Sequence, residues 1–207
     1  MDDAGLNIMH TVVTGGLEEL SESERDGMFR LRYEVFHERL GWQVQTTADG
    51  KEIDQYDALP SANYIVARTP DQRVDACWRI LPTLGPNMLR DVFPELLHGQ
   101  PAPASADCWE LSRFALATGR LASSEDAGNP QIGFGELSVA LMAESTRFAQ
   151  AHGIARFVTV TTAAIERMLK KQGVNVHRLG PPVRIGGVLT LACFIEIDDI
   201  TLRALGR

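Results

Sequence analysis

Residues 156–179 read RFVTVTTAAIERMLKKQGVNVHRL, and this stretch decides the fold class. Residues 156–162 are rich in β-branched side chains, which is typical of a strand. Helix-forming residues occupy 163–172 up to the stop at Gly173, and a short strand is predicted over 174–179. A strand, a helix and a strand in succession indicate an α/β domain with helices packed on a sheet.

The same alternation extends in both directions along the chain. Two prolines after Gly180 interrupt regular structure, and residues 183–197 supply the last strand material. An N-terminal helix is predicted to begin at the capping box of Ser21 and Glu24 and to end near Gly41. Between them we predict a helix over residues 134–152 and strands over residues 64–68, 74–81 and 108–117. The pattern predicts a single α/β domain with a mixed sheet.

The composition is that of a globular protein. The chain has 207 residues, of which 44% are hydrophobic and 23% charged, enough for one sizeable core. No apolar run approaches the roughly 20 residues of a membrane-spanning helix, and the N-terminus lacks a secretory signal. The three cysteines, Cys77, Cys108 and Cys193, follow no metal-ligand spacing. We therefore expect a cytoplasmic protein with no protein-bound metal and no membrane partner.

The charge is unevenly distributed along the chain. Residues 1–146 hold 11 Lys and Arg against 23 Asp and Glu, a balance of −12, whereas residues 147–207 hold 9 against 4, a balance of +5. The net charge of −7 argues against a nucleic-acid partner. A basic second half indicates either an acidic partner or a chance segregation of solvated charges.

Several charged residues interrupt apolar stripes. Arg32 falls between Leu31 and Val35 on the inward face of the first helix, where it either reaches back to the surface or needs carboxylate partners. Asp54 and Asp57 are the nearest candidates, and their spacing places both carboxylates on one side of a single turn. A solvated loop is the alternative for this pair.

The strands raise the same question. Alternation places Val74, Ala76, Trp78 and Ile80 on one face of their strand and Arg79 on the other. In the strand over 108–117, Glu110 and Arg113 lie on opposite faces unless a bulge redirects one of them. Together with Arg32, Asp54 and Asp57, these charges predict a polar site inside the core, with structural ion pairing as the alternative.

Common catalytic and nucleotide-binding motifs are absent. The sequence contains no G-x-S-x-G elbow, no P-loop and no G-x-G-x-x-G. The glycine-rich segment 131–135 precedes a helix and partly fits a phosphate-binding turn, but Pro130 stands where such a loop has Gln or Arg. An ordinary helix start explains the segment equally well.

Five short motifs then occur in one order: ERLGW at 38–42, EIDQYD at 52–57, CWRILPT at 77–83, MLRDVFP at 88–94 and WELSRF at 109–114. With VTT at 160–162, ER at 166–167 and RLGPP at 178–182, the chain resembles the acyl-homoserine-lactone synthases of bacterial quorum sensing. The likeness runs from about residue 25 to the C-terminus.

The resemblance implies a GNAT-like, three-layer α/β/α sandwich with a mixed, mostly antiparallel twisted sheet. It implies an acyltransferase that joins the acyl group of a thioester to S-adenosylmethionine, closes the lactone and releases methylthioadenosine. S-adenosylmethionine is then a substrate, and no tightly bound cofactor is expected. We assign one synthase domain to residues 1–207, with a substrate-enclosing region at 1–60 and the sheet core and acyl-donor side at 61–207.

The resemblance also assigns residues to the site. The catalytic candidates are Glu110, the general base, with Arg113 and Ser112. The S-adenosylmethionine side is assigned to Arg32, Phe36, Trp42, Asp54, Asp57, Arg79 and Phe114. An acyl pocket is expected from Trp78, Leu111, Leu141, Met142, Val160 and Phe194. Docking of an acidic acyl carrier protein is expected at Arg147, Arg156, Arg167, Lys170 and Lys171.

Two other functions fit the sequence less well and stay open here. One is a GNAT-type N-acyltransferase that uses acyl-CoA on another amine, and the other is a non-enzymatic module that binds an acyl thioester or a nucleoside. Whether carrier protein or CoA carries the acyl group is also open. A medium, unsubstituted acyl chain is preferred only slightly, and the sequence does not decide the oligomeric state.

Overall fold

The computed structural model describes residues 10–121 and 135–206. Within them the chain forms one sheet of eight strands: β1 (Thr11–Gly16), β2 (Asn63–Arg68), β3 (Val74–Pro82), β4 (Cys108–Leu116), β5 (Arg156–Thr162), β6 (Val176–Arg178), β7 (Val183–Ile185) and β8 (Val188–Glu196). The spatial order is β1-β2-β3-β4-β5-β8-β6, with β7 paired to β8. Only β4 and β5 pair in parallel, and every other pair is antiparallel. The mixed, mostly antiparallel sheet predicted from the sequence is confirmed.

Helices cover both faces of this sheet. They are α1 (Glu22–Arg32), α2 (Met88–Asp91), α3 (Thr118–Leu121), α4 (Glu136–Ala151), α5 (Ala163–Lys171) and α6 (Asp199–Ala204), with 3₁₀ turns at Gln55–Ala58 and Pro94–Leu97. The predicted capping box of α1 is present, since the Ser21 side chain accepts from the Glu24 N–H and Glu24 accepts from the Ser21 N–H. No described helix is long and apolar enough to cross a bilayer.

The strand alternation separates two packed faces, as a three-layer sandwich requires. On one face, α4 packs over β1–β3 and α5 over β5, β6 and β8. On the other face, α1 packs over β2–β4, while α2 and the turn Pro94–Leu97 cover β4 and β8. We call these the α4 face and the α1 face.

A β-bulge in β4 decides which side chains reach each face. Cys77 pairs with Ala115 and Arg79 with Ser112, so two residues of β4 stand opposite Trp78. Arg113, the first of these two, has a φ of 57°, a left-handed conformation uncommon for a residue with a side chain. The bulge brings Arg113 to the α1 face, which already holds Glu110.

A second irregularity corrects one strand prediction. The β2–β3 register shifts between Ala67 and Arg68, and Val74 therefore packs in the α1-face core instead of beside Ala76 and Trp78.

Candidate active site

Arg32 is the first of the predicted site residues, and it lies at the C-terminal end of α1, 1% exposed. Its guanidinium binds Asp57 through two hydrogen bonds of 2.8 Å. The Nε of Arg32 also donates to Glu52 Oε2 at 2.5 Å. Arg32 therefore does not reach back to the surface, and its buried charge is fully paired.

Arg79 reaches the same carboxylates from the centre of the sheet. Its two Nη atoms donate to Asp54 at 2.6 and 3.0 Å, and Nη1 also donates to Asp57 Oδ1 at 2.9 Å. The Nε of Arg79 donates to Ser112 Oγ at 3.2 Å. Ser112 thus orients the arginine between two acids.

Arg113 closes the group because the bulge directs it to the α1 face. It pairs with Glu52 and with Asp54, each at 3.1 Å. The arginine–carboxylate cluster therefore consists of Arg32, Arg79, Arg113, Glu52, Asp54 and Asp57, with three formal charges of each sign.

Glu52 is the cluster member that the sequence argument missed. It lies in the segment between α1 and β2, fully buried, in a single bridge pair with Thr46. No helix or strand periodicity marks that segment, so its inward direction carries no signal in the sequence. Its place at the start of the motif EIDQYD was the only available hint.

A short turn holds the two aspartates as their spacing predicted. Asp54 caps the 3₁₀ turn Gln55–Ala58 by accepting from the Tyr56 N–H at 2.9 Å, and Asp57 accepts from the Asp54 N–H at 2.8 Å. The Tyr64 hydroxyl donates to Asp57 at 2.8 Å. Asp57 therefore has five donors, and the alternative of a solvated loop is wrong.

The electrostatics of the cluster favour the ionised state. Burial opposes ionisation of Asp57, but the guanidinium groups of Arg32 and Arg79 outweigh it and hold the pKa of that carboxyl well below its usual range. Burial likewise disfavours the charged form of Arg32, yet Asp57 and Glu52 raise its pKa above the usual value. These groups stay charged at any physiological pH.

Glu110 lies beside the cluster rather than in it. Glu110 is 1% exposed, and its carboxylate accepts hydrogen bonds from the backbone N–H groups of Met88 and Leu89, the first residues of α2, at 3.0 and 2.7 Å. Burial raises the pKa of Glu110 above its usual value, and the two N–H donors offset this only in part. Met88 connects Glu110 to the cluster, because its sulfur lies 3.3 Å from both Arg79 Nη2 and Arg113 Nη1.

An aromatic platform borders the cluster on its solvent side. Phe36 lies in a π-helical segment, Tyr33–Arg39, that continues α1. Trp42 stacks on Phe36 with ring centroids 5.3 Å apart and remains 48% exposed. The Arg113 guanidinium lies 5.5 Å from the Phe36 ring centroid. Phe36 is thus also a core residue, whereas the half-exposed face of Trp42 is available to a ligand.

Strands β4 and β5 separate next to this site. Their pairing ends at Leu111 and Thr159, although β4 continues to Leu116 and β5 to Thr162. The Thr159 hydroxyl donates to the Leu111 carbonyl at 2.9 Å at the point of separation. From Ser112 onward, the edge of β4 that faces β5 has no strand partner in the described ladder and can accept an extended ligand.

The family follows from comparison with known proteins. A model described as autoinducer synthase matches residues 16–205. The chain belongs to this family. An acyl-homoserine-lactone synthase of Pseudomonas aeruginosa is 42% identical over 195 residues, covering 94% of this chain and 92% of that relative. The crystal structure of the AHL synthase LasI matches with a TM-score of 0.83 and 38% identity over 96% of this chain and 95% of that one.

A third match extends the comparison to a ligand-bound structure. The CoA-dependent acyl-homoserine lactone synthase BjaI, solved with SAM and isopentyl-CoA, has a TM-score of 0.80 and 27% identity over 96% of this chain and 87% of that one. Together these matches confirm the family, the GNAT-like fold and the acyltransferase class predicted from the sequence. The division at residue 60 stays a prediction.

The six apolar residues predicted to form the acyl pocket, which we call the acyl-wall residues, fall into two groups. Trp78, Leu111, Leu141 and Met142 pack together in the α4-face core. Val160 and Phe194 belong to the α1-face core under Pro94–Leu97, because alternation along β5 and β8 directs them away from α4. The six residues therefore lie on both faces of the sheet, and their grouping into one acyl pocket stays a prediction.

Phe114 also lies away from its predicted position on the S-adenosylmethionine side. The bulge that brings Arg113 to the α1 face turns Phe114 to the opposite one, where its ring meets Trp78 edge-on at 5.1 Å. Phe114 therefore packs with the α4-face acyl-wall group and is separated from the arginine–carboxylate cluster by the sheet.

The basic residues assigned to carrier docking are divided between the two faces of the sheet, with Arg156 apart from the others. Arg167, Lys170 and Lys171 share α5, whereas Arg147 lies on α4 and pairs with Glu144. Arg156 is on the α1 face, 5.1 Å from the Phe194 ring centroid and 3.4 Å from Glu196. The glycine-rich segment 131–134 lies outside the described residues.

Proposed function

We propose that the protein is an acyl-homoserine-lactone synthase that makes a quorum-sensing signal from S-adenosylmethionine and an acyl thioester. The observation that carries this proposal is the buried arginine–carboxylate cluster, which lies between the aromatic platform with its half-exposed Trp42 and the separation of β4 from β5. One side offers a surface for a nucleoside with a sulfonium, and the other offers an unpaired strand edge for a thioester arm. The likeness to BjaI with SAM and isopentyl-CoA supports both substrates.

The first step is acyl transfer. The neutral amine of S-adenosylmethionine attacks the thioester carbonyl, a C–N bond forms, and the C–S bond breaks to release the donor thiol. Glu110 takes the amine proton directly or through water, and its raised pKa makes it a stronger base than an ordinary carboxylate. Backbone N–H groups on the unpaired edge of β4 stabilise the oxyanion that develops on the carbonyl oxygen.

The second step closes the lactone. A carboxylate oxygen of the acylated methionine attacks its own γ-carbon, and the C–S⁺ bond breaks with its electron pair going to sulfur. The products are the lactone and neutral methylthioadenosine. Since a sulfonium is already a good leaving group, the protein contributes mainly by holding the carboxylate and γ-carbon in line. Arg113, the most accessible arginine of the cluster at 11% side-chain exposure, is the positioning group for this step.

The rigid cluster orders the remainder of the site. Arg32 and Asp57 join α1 to the 3₁₀ turn, and Arg79 joins that turn to the sheet. Phe36 and Trp42 hold the sulfonium and adenosine, a contact worth about 0.5–2 kcal/mol. The acyl chain lies against Trp78 and its neighbours in the α4-face core.

We also propose an acyl carrier protein as the donor and α5 as its docking site. Arg167 and Lys171 have no ion pair among the described residues, whereas Lys170 is held by the buried Glu166 at 2.7 Å. Two cations that carry no internal partner complement an acidic protein surface. The cytoplasm is the proposed compartment, since the three cysteines are buried thiols rather than disulfides.

Incubation with S-adenosylmethionine and a panel of acyl-carrier-protein and acyl-CoA thioesters tests the function. We expect methylthioadenosine and an acyl-homoserine lactone in equal amounts with at least one donor. Release of thiol without methylthioadenosine would instead indicate an ordinary N-acyltransferase. No turnover with any donor, while S-adenosylmethionine still binds, would indicate a binding module.

A further inference from the structure

Met88 holds an unusual position between two arginines. Its Sδ lies 3.3 Å from Arg79 Nη2 and 3.3 Å from Arg113 Nη1, and the residue is 6% exposed. A thioether is a weak hydrogen-bond acceptor, whereas a guanidinium is a strong charged donor. The sulfur is therefore a poor partner for both groups.

The contact with Met88 Sδ is the weakest pairing that the two arginines make in the cluster. Arg79 gives its other N–H groups to Asp54, Asp57 and Ser112. Arg113 gives Nε and Nη2 to Glu52 and Asp54, and the sulfur is the only partner of its Nη1 within residues 10–121 and 135–206. Two charged donors from different strands thus converge on one neutral atom.

We propose that Met88 Sδ occupies an anion subsite formed by Arg79 Nη2 and Arg113 Nη1, and that the carboxylate of the substrate's amino-acid portion displaces it. A carboxylate oxygen between two guanidinium N–H donors forms charge-assisted bonds about twice as strong as neutral ones. The assignment rests on the proposed function, which supplies S-adenosylmethionine as the carboxylate-bearing ligand.

The surroundings allow this exchange without unfolding the site. Glu110 holds the backbone N–H of Met88, so the start of α2 stays fixed while the side chain rotates. Methionine has three rotatable side-chain bonds and repacks easily. Arg113 also contacts Phe36 of the aromatic platform, so a nucleoside stacked there brings its amino-acid portion towards Arg113.

A matched pair of ligands isolates the carboxylate. S-adenosylhomocysteine and 5′-deoxy-5′-(3-aminopropylthio)adenosine share the nucleoside, a neutral sulfur and the amine, and differ only in the carboxylate. The ratio of their dissociation constants, measured by calorimetry on the whole chain, is the carboxylate increment. Methylthioadenosine, which lacks the amino-acid portion, reports on the nucleoside alone.

The variant Met88→Leu removes the sulfur but keeps the side-chain volume. In this variant the ligand carboxylate no longer has to break the two contacts between the Met88 sulfur and the arginines. We therefore expect S-adenosylhomocysteine to bind about threefold to tenfold more tightly, and the dissociation constants of the aminopropyl analogue and of methylthioadenosine to stay unchanged. Met28→Leu is the matched control, because Met28 is a fully buried methionine of α1 and the described contacts place no guanidinium on its sulfur. It should leave all three constants unchanged.

Methyl NMR of the wild-type chain gives a second readout that needs no variant to fold. The chain has six methionines, and Met88→Leu identifies the Met88 signal by its loss. That signal should shift with S-adenosylhomocysteine and stay in place with the aminopropyl analogue. An unchanged carboxylate increment in Met88→Leu, or a Met88 signal that responds equally to both ligands, would overturn the subsite. If the wild-type chain binds none of the three ligands, the proposed S-adenosylmethionine site fails as well, so the two failures are distinguishable.

Discussion

Replacing Asp57 with asparagine tests the arginine–carboxylate cluster at its most connected carboxylate. Asp57 accepts two hydrogen bonds from Arg32, one from Arg79, one from the Tyr64 hydroxyl and one from the Asp54 N–H. Asparagine has nearly the same shape as aspartate but carries no charge. Its NH₂ group is a hydrogen-bond donor, and it would face the N–H and O–H donors that now bind the Asp57 carboxylate. Removal of one partner from a buried ion pair costs about 3–5 kcal/mol, because the other charges stay buried without compensation. We expect Asp57→Asn to lose this much stability at pH 7.

The pH dependence gives the loss a distinct signature. Arg32 and Arg79 overcome the burial of Asp57 and hold its pKa below the usual range, so the folded state favours the ionised carboxyl. Its contribution is complete above the unfolded pKa of about 4 and is lost as the pH falls through the lower folded pKa. The difference in unfolding free energy between the wild type and Asp57→Asn should therefore be constant near neutral pH. It should decrease below about pH 4, where Asp57 begins to be protonated in the unfolded state.

Urea denaturation followed by tryptophan fluorescence measures these free energies. Asp49→Asn is the control, because the half-exposed Asp49 pairs only at the surface, with Lys51 at 2.9 Å and Arg30 at 3.8 Å, and should leave the midpoint nearly unchanged. A loss below about 1 kcal/mol for Asp57→Asn at pH 7, the size of a surface ion pair, would refute the buried, paired state of the cluster.

Three further variants address the chemistry and the donor. Glu110→Gln should lower kcat about 10²- to 10⁴-fold, because the amide is not a base. It should also cost about 1–3 kcal/mol of stability, because the amide cannot accept both α2 N–H groups. Near-normal turnover would exclude Glu110 as the base. Trp42→Ala should raise KM for S-adenosylmethionine about 2- to 30-fold at unchanged melting temperature, and an unchanged KM would contradict the platform. Charge reversal of Arg167 and Lys171 should raise KM for a carrier-protein donor, most strongly at low salt, and should leave KM for S-adenosylmethionine unchanged. If the variant and the wild type have the same KM for the carrier-protein donor at low salt, docking on α5 is refuted. Reversal of Lys170 is less informative, since it also places a second carboxylate beside Glu166.

The sequence predicted most of the sheet because its strands and helices obey simple periodicities. The predicted span of β5 is identical to the observed one, and those of β3, β4, α4 and α5 differ by at most two residues at either end. Strand β1 and helix α6 were missed. Helix α6 has six residues, too few for helical periodicity to distinguish it from a loop, and in β1 only four strand-forming residues precede two glycines, which are uncommon in strands.

The site was predictable where charge interrupted an apolar pattern. Arg32 and Arg79 were recognised as buried charges because each interrupts a helix or strand stripe, and both proved fully paired. Glu52 lies in a segment without a helix or strand, where there is no apolar periodicity that a charged residue could interrupt. Membership of the cluster could therefore be predicted for residues on regular elements and not for a residue whose direction depends on tertiary contacts.

The β-bulge at Arg113 decides which side chains of β4 reach the α1 face and which reach the α4 face. In a regular strand Arg113 would share a face with Leu111, Glu52 would lose one of its two arginines, and Phe114 would join the α1 face. One extra residue reverses both side chains, so the same six letters WELSRF place a guanidinium in the cluster and an aromatic ring in the α4-face core. The cost is a left-handed arginine, of order 1–3 kcal/mol for strained backbone. Paired carboxylates on the α1 face and the Trp78 contact on the α4 face hold that conformation in place. The substitution Arg113→Gly would relieve the backbone strain, but it would also remove the guanidinium that pairs with Glu52 and Asp54. The strained conformation is therefore retained because it places this positive charge between the two carboxylates.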